Sequence, residues 1–539
     1  MDKLVEPGPS TLVVLVVSGL GHHGPDPGPL PDMVRHAGHP ARVLVLVTDN
    51  TGLELAHNLA AAGIELQLLL GPHVIGPVPA VRFARMPVGT SENDLLDFAM
   101  ALADVVIGDP GRHDDRTIHR ARALGKRVVA PGRGLPELPA IHSVTDSLDP
   151  LALRRHGWRR HVVGRLEQTL VELLGLFSSQ DDSFRKRCGR LWTCVRLQFD
   201  GSWCSGSYFA PDGCRAFAPD PRGFDPASPL VHRFEALDRS AVFGAYIYRD
   251  LAWLVHFGAA CAVLAAVALA ILRLDAWSPP LMTACIIVEF LLLMTIAVIM
   301  GCVRRGRLQD RWTACRLGAE QLRIARMCLP LLVLPQALIS RDSWHADGEH
   351  GDAPAVTHRV LAEVKRAIRD HGLPDLNGSG APEQAARWVA CIVQDQMTYH
   401  QRNHRRLERA ERSLRHVAGA IFFVAIVAVV VEFLPFIWPC VSERPALFLL
   451  TAAGPAFAAA FHGAATRLAI VHRIDLSQNT TRELQPIHAA LVEIIHRAAV
   501  DERSWPAIRQ RTFRAAEAMG RENQSWLGLV RLQRDTLPA

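Results

Sequence analysis

The chain has 539 residues, 49% of them apolar, and a formal net charge of +6. That apolar share is high for a wholly soluble protein, which needs a polar exterior. The positive charge is almost all arginine, placed beside apolar segments and not in one patch with interleaved aromatics, which argues against a nucleic-acid partner.

The first apolar run, LVVLVV, lacks the basic flank of a signal peptide, because Asp2 and Glu6 offset Lys3. The segment from residue 1 to 145 is therefore expected in the cytoplasm. Within it, TLVVLVV, ARVLVLV, IELQLLL, VRFARM, DVVIG and KRVVA read as strands. Continuous apolar strands are buried on both faces, as in a parallel sheet. LELAHNLAAAG, ENDLLDFAMALA and RTIHRARALG lie between them as helical stretches. The expectation is an α/β Rossmann-like domain, with ligands at the carboxyl ends of its strands.

Residues 146–240 read as a linker region with one amphipathic helix near WRRHVVGRLEQTLVELLGLF. A small hairpin turning at Asp200-Gly201 follows. Cys188, Cys194, Cys204 and Cys214 fall nearby, but no CxxC pair occurs, so no metal site is expected.

Apolar runs at 251–272, 281–303, 417–438 and 446–465 each match about one bilayer thickness. The fourth is rich in Ala and Gly, which lets helices approach closely in lipid. The loops RLDAWSPP and CVSERP carry one Arg each. The opposite ends carry Arg304, Arg305 and Arg307, and a run from Arg402 to Arg415. By the positive-inside rule both hairpins point outward from an inner (plasma) membrane, with both termini cytoplasmic. The first hairpin and its extension occupy 241–330, a cytoplasmic insert and stalk 331–416, the second hairpin 417–473, and C-terminal cytoplasmic helices 474–539.

In the insert, VTHRVLAEVKRAIRDHG reads as an amphipathic helix. One continuous helix is predicted from Pro382 into the third span, supported by the i,i+4 pairs Glu408–Arg412 and Glu411–Arg415. The chain is predicted to end in more helices, one of them capped by Ser504 with Pro506 in its first turn.

Several short motifs carry a family resemblance. The turn Ser18-Gly19-Leu20-Gly21-His22-His23-Gly24, the turn Thr48-Asp49-Asn50-Thr51-Gly52 and the stretch from Ala103 to Gly108-Asp109 resemble turns of SLOG-type nucleotide-binding domains. The arginine of the family's first turn is not in place. Tyr248-Arg249, Arg311-Trp312, Arg316, Ala319, Glu320 and Arg323 resemble SLATT-like membrane modules of bacterial conflict systems. So do Gln396, Tyr399, His400 and Asn403, with Ala515-Ala516 and the stretch Met519 to Trp526. The resemblance implies an α/β domain that binds a nucleotide-derived ligand through Ser18, Gly19, Gly21, His22, Thr48, Asp49, Asn50, Gly108 and Asp109. It further implies a membrane response. The all-α membrane module of four spans is expected to form a homo-oligomer through its helical stalk and to perturb or permeabilise the bilayer. No cofactor is fixed by the resemblance.

PGRGLPE at 131–137 is similar to the loop of LOG-type phosphoribohydrolases, but its threonine is absent, and a plain turn is the better reading. Arg316, Glu320 and Arg323 share a helix face, either as a solvated ion-pair ladder or as a coupling element beneath the membrane. Tyr399, His400, Asn403 and His404 form a polar face; no third ligand accompanies the two histidines, so helix contact outranks metal binding. Glu289 and Glu432 place two carboxylates at similar depth inside spans. They line one cation-attracting path, or Glu289 packs protonated against a neighbouring helix, the reading ranked first. The leading expectation is a membrane-anchored sensor–effector, with a membrane-tethered nucleotide-processing enzyme or a scaffold with a degenerate sensor domain as the alternatives.

Overall fold

The computed structural model describes residues 12–17, 41–47, 50–61, 66–70 and 82–85, with single residues and short runs between 96 and 129. It then describes 228–274, 279–305, 308–333, parts of 356–368, 380–437, 445–496 and 500–535. The linker helix, the Asp200-Gly201 hairpin and PGRGLPE lie outside these residues.

Six short strands pair in parallel, in the order β4-β3-β2-β1-β5-β6. They are β1 (Leu12–Val17), β2 (Ala41–Val47), β3 (Leu66–Leu70), β4 (Arg82–Arg85), β5 (Val105–Ile107) and β6 (Arg127–Val129). Helix α1 (Asn50–Ala61) follows β2. The expected fold class is nevertheless corrected. The described architecture is overwhelmingly helical, and a Rossmann-like domain is not seen in it. Apolar runs such as LVVLVV can mark strands, but a doubly wound domain also needs full helices packed on both faces. Among the described residues, α1 is the one complete helix in this part of the chain.

The helical body consists of α2 (Ser228–Leu274), α3 (Pro279–Arg305), α4 (Leu308–Cys328), α5 (Ala381–Ile437), α6 (Pro445–Arg467), α7 (Ile470–His496) and α8 (Trp505–Asp535). Four helices are long and apolar enough to cross a membrane, so the chain is a membrane protein. The apolar segments fall at the end of α2, in α3, at the end of α5 and in α6.

Helix α5 runs unbroken from Ala381 to Ile437, as the sequence predicts, and continues beyond Pro435. Arg412 pairs with Glu408 at 2.8 Å, and Arg415 pairs with Glu411. Helix α2 starts well before its apolar segment, which the sequence reading did not foresee. Its early part is amphipathic: Leu230, Phe234, Leu237, Ala241, Ala245 and Tyr248 are all buried at helical spacing.

Outside the membrane, α2 packs on α4, α5 on α7, and α8 on both α4 and α7. Buried Val356, Val360, Val364 and Ile368 add the apolar stripe expected of the insert helix. Within the apolar layer, α3 packs on α2, α2 on α6, and α6 on α5. The spans thus form an open row with α3 and α5 at its ends. Two close approaches fix it. A Cβ on Gly463 would lie 2.8 Å from the His256 ring, and one on Gly454 would lie 2.8 Å from Ala425 Cβ. Phe257 meets Phe461 edge-on at 4.9 Å in the α2–α6 seam.

Two helix joints are built differently from the long rods. Helix α4 ends in a short 3-10 turn at Leu329–Leu331 and stops at Leu332, in the left-handed region with φ 52°. Helices α6 and α7 are separated by Leu468 and Ala469, and Ala469 also takes positive φ, at 47°. Helix α8 starts at Trp505 with Pro506 in its first turn. Ahead of it the Asp501 carboxylate accepts from the Arg503 backbone N–H at 3.1 Å.

Candidate functional site: a buried ionic network at the base of the spans

The coupling residues expected from the sequence converge. Arg316 and Arg323 lie on α4 two turns apart and point into the bundle, with side chains only 17% and 18% exposed. Arg323 Nη1 donates to Glu320 Oε2 at 2.5 Å and to Gln396 Oε1 on α5 at 3.4 Å. Its other terminal nitrogen is 3.9 Å from Asp238 on α2. The guanidinium also lies over the Phe234 ring, 5.1 Å from its centroid. Arg316 faces Glu522 on α8 at 3.7 Å and stacks over Trp526 at 4.4 Å. One pair of arginines thus ties α2, α4, α5 and α8 together. The solvated-ladder reading does not hold at this depth.

Burial sets the electrostatics. It opposes the charge on Arg316, but Tyr399, Glu522 and Glu320 outweigh it and raise the guanidinium pKa. Burial also opposes the charge of Arg323, which Glu320 and Asp238 restore. His400, on the extramembrane part of α5, is pushed down to about 4 by burial, against the pull of Glu320, so its imidazole is neutral at pH 7. Burial pushes Glu522 up to about 7, with Glu320 adding to the rise while Arg316, Arg323 and Arg473 oppose it. The ion pair and the raised pKa pull in opposite directions here. At 3.7 Å the Arg316 contact is too long for a hydrogen bond, so burial prevails. His400 Nδ1 and Arg316 Nε are buried with no hydrogen-bond partner among the described residues.

An aromatic ladder continues from the network toward the membrane. Trp526 meets Trp312 edge-on at 5.3 Å, and Trp312 stacks on Tyr248 at 5.2 Å. Helices α2 and α4 approach so closely there that a Cβ on Gly244 would lie 2.9 Å from Trp312 Cβ. Asn403 takes a neighbouring role, donating to Ser477 on α7 at 2.8 Å. His404 also turns toward α7, with Nδ1 3.4 Å from the Ile474 carbonyl. Tyr399 and His400 rings meet edge-on at 5.1 Å.

The two membrane carboxylates are not brought together. Glu289 is half-buried on the face of α3 that carries Met282, Cys285, Leu292, Ile296 and Ile299, the positions partly shielded from solvent. Ile296 touches the site of Gly258, so this face is the seam with α2. Antiparallel register from that contact sets Glu289 level with small Ala265. Glu432 lies in the other seam, where Thr451 Oγ1 on α6 donates to its Oε1 at 3.5 Å. The α2–α6 pair stands between them. Of the residues expected to bind a ligand, Ser18, Gly19, Gly21, His22, Thr48, Asp49, Gly108 and Asp109 lie outside the described residues. Asn50 is the first residue of α1.

The sequence reading missed Asp238 and Glu522, the acidic partners on α2 and α8. Asp238 had a signal, the apolar stripe from Leu230 to Tyr248 that makes its segment a helix. Compared with known proteins, the chain matches no family model, no curated protein and no solved structure.

Proposed function

We propose that the protein is a membrane-anchored sensor–effector whose extramembrane bundle controls the packing of its spans. The observation that carries this reading is the buried Arg316–Arg323 network, set where α2 and α5 leave the bundle and continue unbroken into the apolar layer. Buried charges held in one arrangement by several partners are a natural two-state element, because removing a charged partner such as Glu320 or Asp238 leaves the Arg323 guanidinium uncompensated.

In this reading the bundle and both termini face the cytoplasm of a cell with an inner membrane, as the arginine distribution favours. A nucleotide-like ligand bound near Ser18, Gly19, Gly21 and His22 in the N-terminal segment biases the network. Copies of the chain associate through the exposed edges α3 and α5, which present Phe290, Leu291, Phe423 and Phe433. The response is permeabilisation of the bilayer between copies. A path shared by Glu289 and Glu432 inside one chain has no support, since they occupy separate seams. Glu289 is better read as a contact with α2.

The test is membrane potential in cells expressing the full chain, beside Arg323→Gln, Glu289→Gln and a Gly19→Ala/Gly21→Ala variant. Wild type should depolarise the cells, Arg323→Gln should insert but stay silent, and Glu289→Gln should retain activity. A wild type that leaves the potential untouched with nucleotides supplied would sink the effector reading.

A further inference from the structure

A cleft opens beside the network, at the level where the spans leave the membrane. Arg249 on α2 and Arg473 on α7 line it, with the Trp312 and Trp526 rings and the apolar Leu529 and Val530. Among the described residues no carboxylate lines it. Arg467, the last residue of α6, adds a third guanidinium nearby, 6.0 Å over the Tyr248 ring. Arg249 stands two residues before the apolar segment at 251, and Arg473 one turn past the α6–α7 joint.

We propose that this cleft binds the headgroup of an anionic phospholipid. Guanidinium groups bind phosphate oxygens through paired N–H donors. The apolar wall of Leu529 and Val530 suits the glycerol and first acyl carbons, which a free phosphate ion lacks. The position at the base of the spans favours a lipid over a soluble anion for the same reason. Arg473 also acts on the buried Glu522. A phosphate held by Arg473 weakens the field of that guanidinium at Glu522, which links the cleft to the network through space.

The test is native mass spectrometry of the full chain in detergent, titrated with short-chain phosphatidylglycerol, short-chain phosphatidylcholine or inorganic phosphate. Wild type should retain phosphatidylglycerol at least about tenfold more tightly than phosphatidylcholine, as expected for two basic groups on an anionic headgroup. Arg249→Gln/Arg473→Gln should abolish that preference. Leu529→Trp, which keeps both arginines but fills the cleft, should abolish it too, while the exposed Arg503→Gln should leave it intact. Equal retention of the two lipids, or a preference that survives both cleft variants, overturns the proposal. Inorganic phosphate binding as tightly as phosphatidylglycerol overturns the lipid assignment. None of these readouts involves membrane potential, so the outcome is independent of the sensor–effector reading.

Discussion

Glu522→Gln tests the electrostatics of the network with one atom exchanged. The folded carboxyl is raised from an ordinary 4.5 to about 7 by burial. The folded state therefore holds its proton more tightly than the unfolded chain. Its contribution to stability is fully present below pH 4.5 and is lost as pH rises through about 7. At about 1.4 kcal/mol per unit, the loss across that window is on the order of 3 kcal/mol. Glutamine is isosteric with the protonated acid and does not titrate. The variant should match wild type at pH 4.5 and exceed it at pH 8 by up to about 3 kcal/mol. For a unit the size of this bundle that is a rise in Tm of roughly 6–12 °C. The assay is thermal unfolding of purified chain in detergent at a series of pH values, followed by tryptophan fluorescence. A variant less stable than wild type at pH 8 would refute the reasoning, because the Arg316 pair would then outweigh burial. A difference that does not vary with pH would refute it as well.

Four further outcomes follow from the packing. Gly454→Ala should cost about 1–3 kcal/mol, since its Cβ would meet Ala425 Cβ at 2.8 Å. Gly419→Ala, with nothing within 4 Å, should be neutral or gain up to about 1 kcal/mol from helix propensity; thermal melts of the two variants side by side check this. Ala469→Gly should raise stability by about 1 kcal/mol, because glycine accepts the φ of 47° that alanine resists. Asn403→Ala should cost about 1–2 kcal/mol by leaving the buried Ser477 hydroxyl without its donor, and Ser477→Ala on top of it should add little.

The membrane spans were legible because hydropathy over some 20 residues needs no tertiary information. The continuity of α5 was legible for a similar reason: Pro382 marks its start, and Gly419 is the only interruption before Pro435. The early half of α2 was not read, because a Pro-rich stretch precedes it and its polar residues outnumber the stripe Leu230, Phe234, Leu237 and Ala241. Losing that half-helix meant losing Asp238. Glu522 sat inside a stretch already singled out, but its pairing with Arg316 joins residues on distant helices, which local spacing does not encode. The seam holding Glu289 was invisible for another reason. In lipid the inward and outward faces of a span are equally apolar, so composition does not mark which side touches a neighbour. The apolar runs were legible as strands, but they do not set the class, because the described architecture is overwhelmingly helical.

Each hairpin pairs one stiff rod with one jointed one. Helices α2 and α5 have 47 and 57 residues, about 70 and 85 Å at 1.5 Å per residue. Their partners break on leaving the membrane, α3 before α4 and α6 at Ala469 before α7. In α5 the part outside the membrane exceeds the part inside by roughly two thirds, so the bundle holds the longer lever arm. Sideways displacement at the stalk tip is scaled down at the far end but arrives with greater force, while the jointed helices swivel to follow. A motion of a few ångströms among soluble helices would thus become a small, forceful tilt of two spans past two others. Such a transmission is better suited to prising apart a tightly packed seam than to sliding a span through the bilayer.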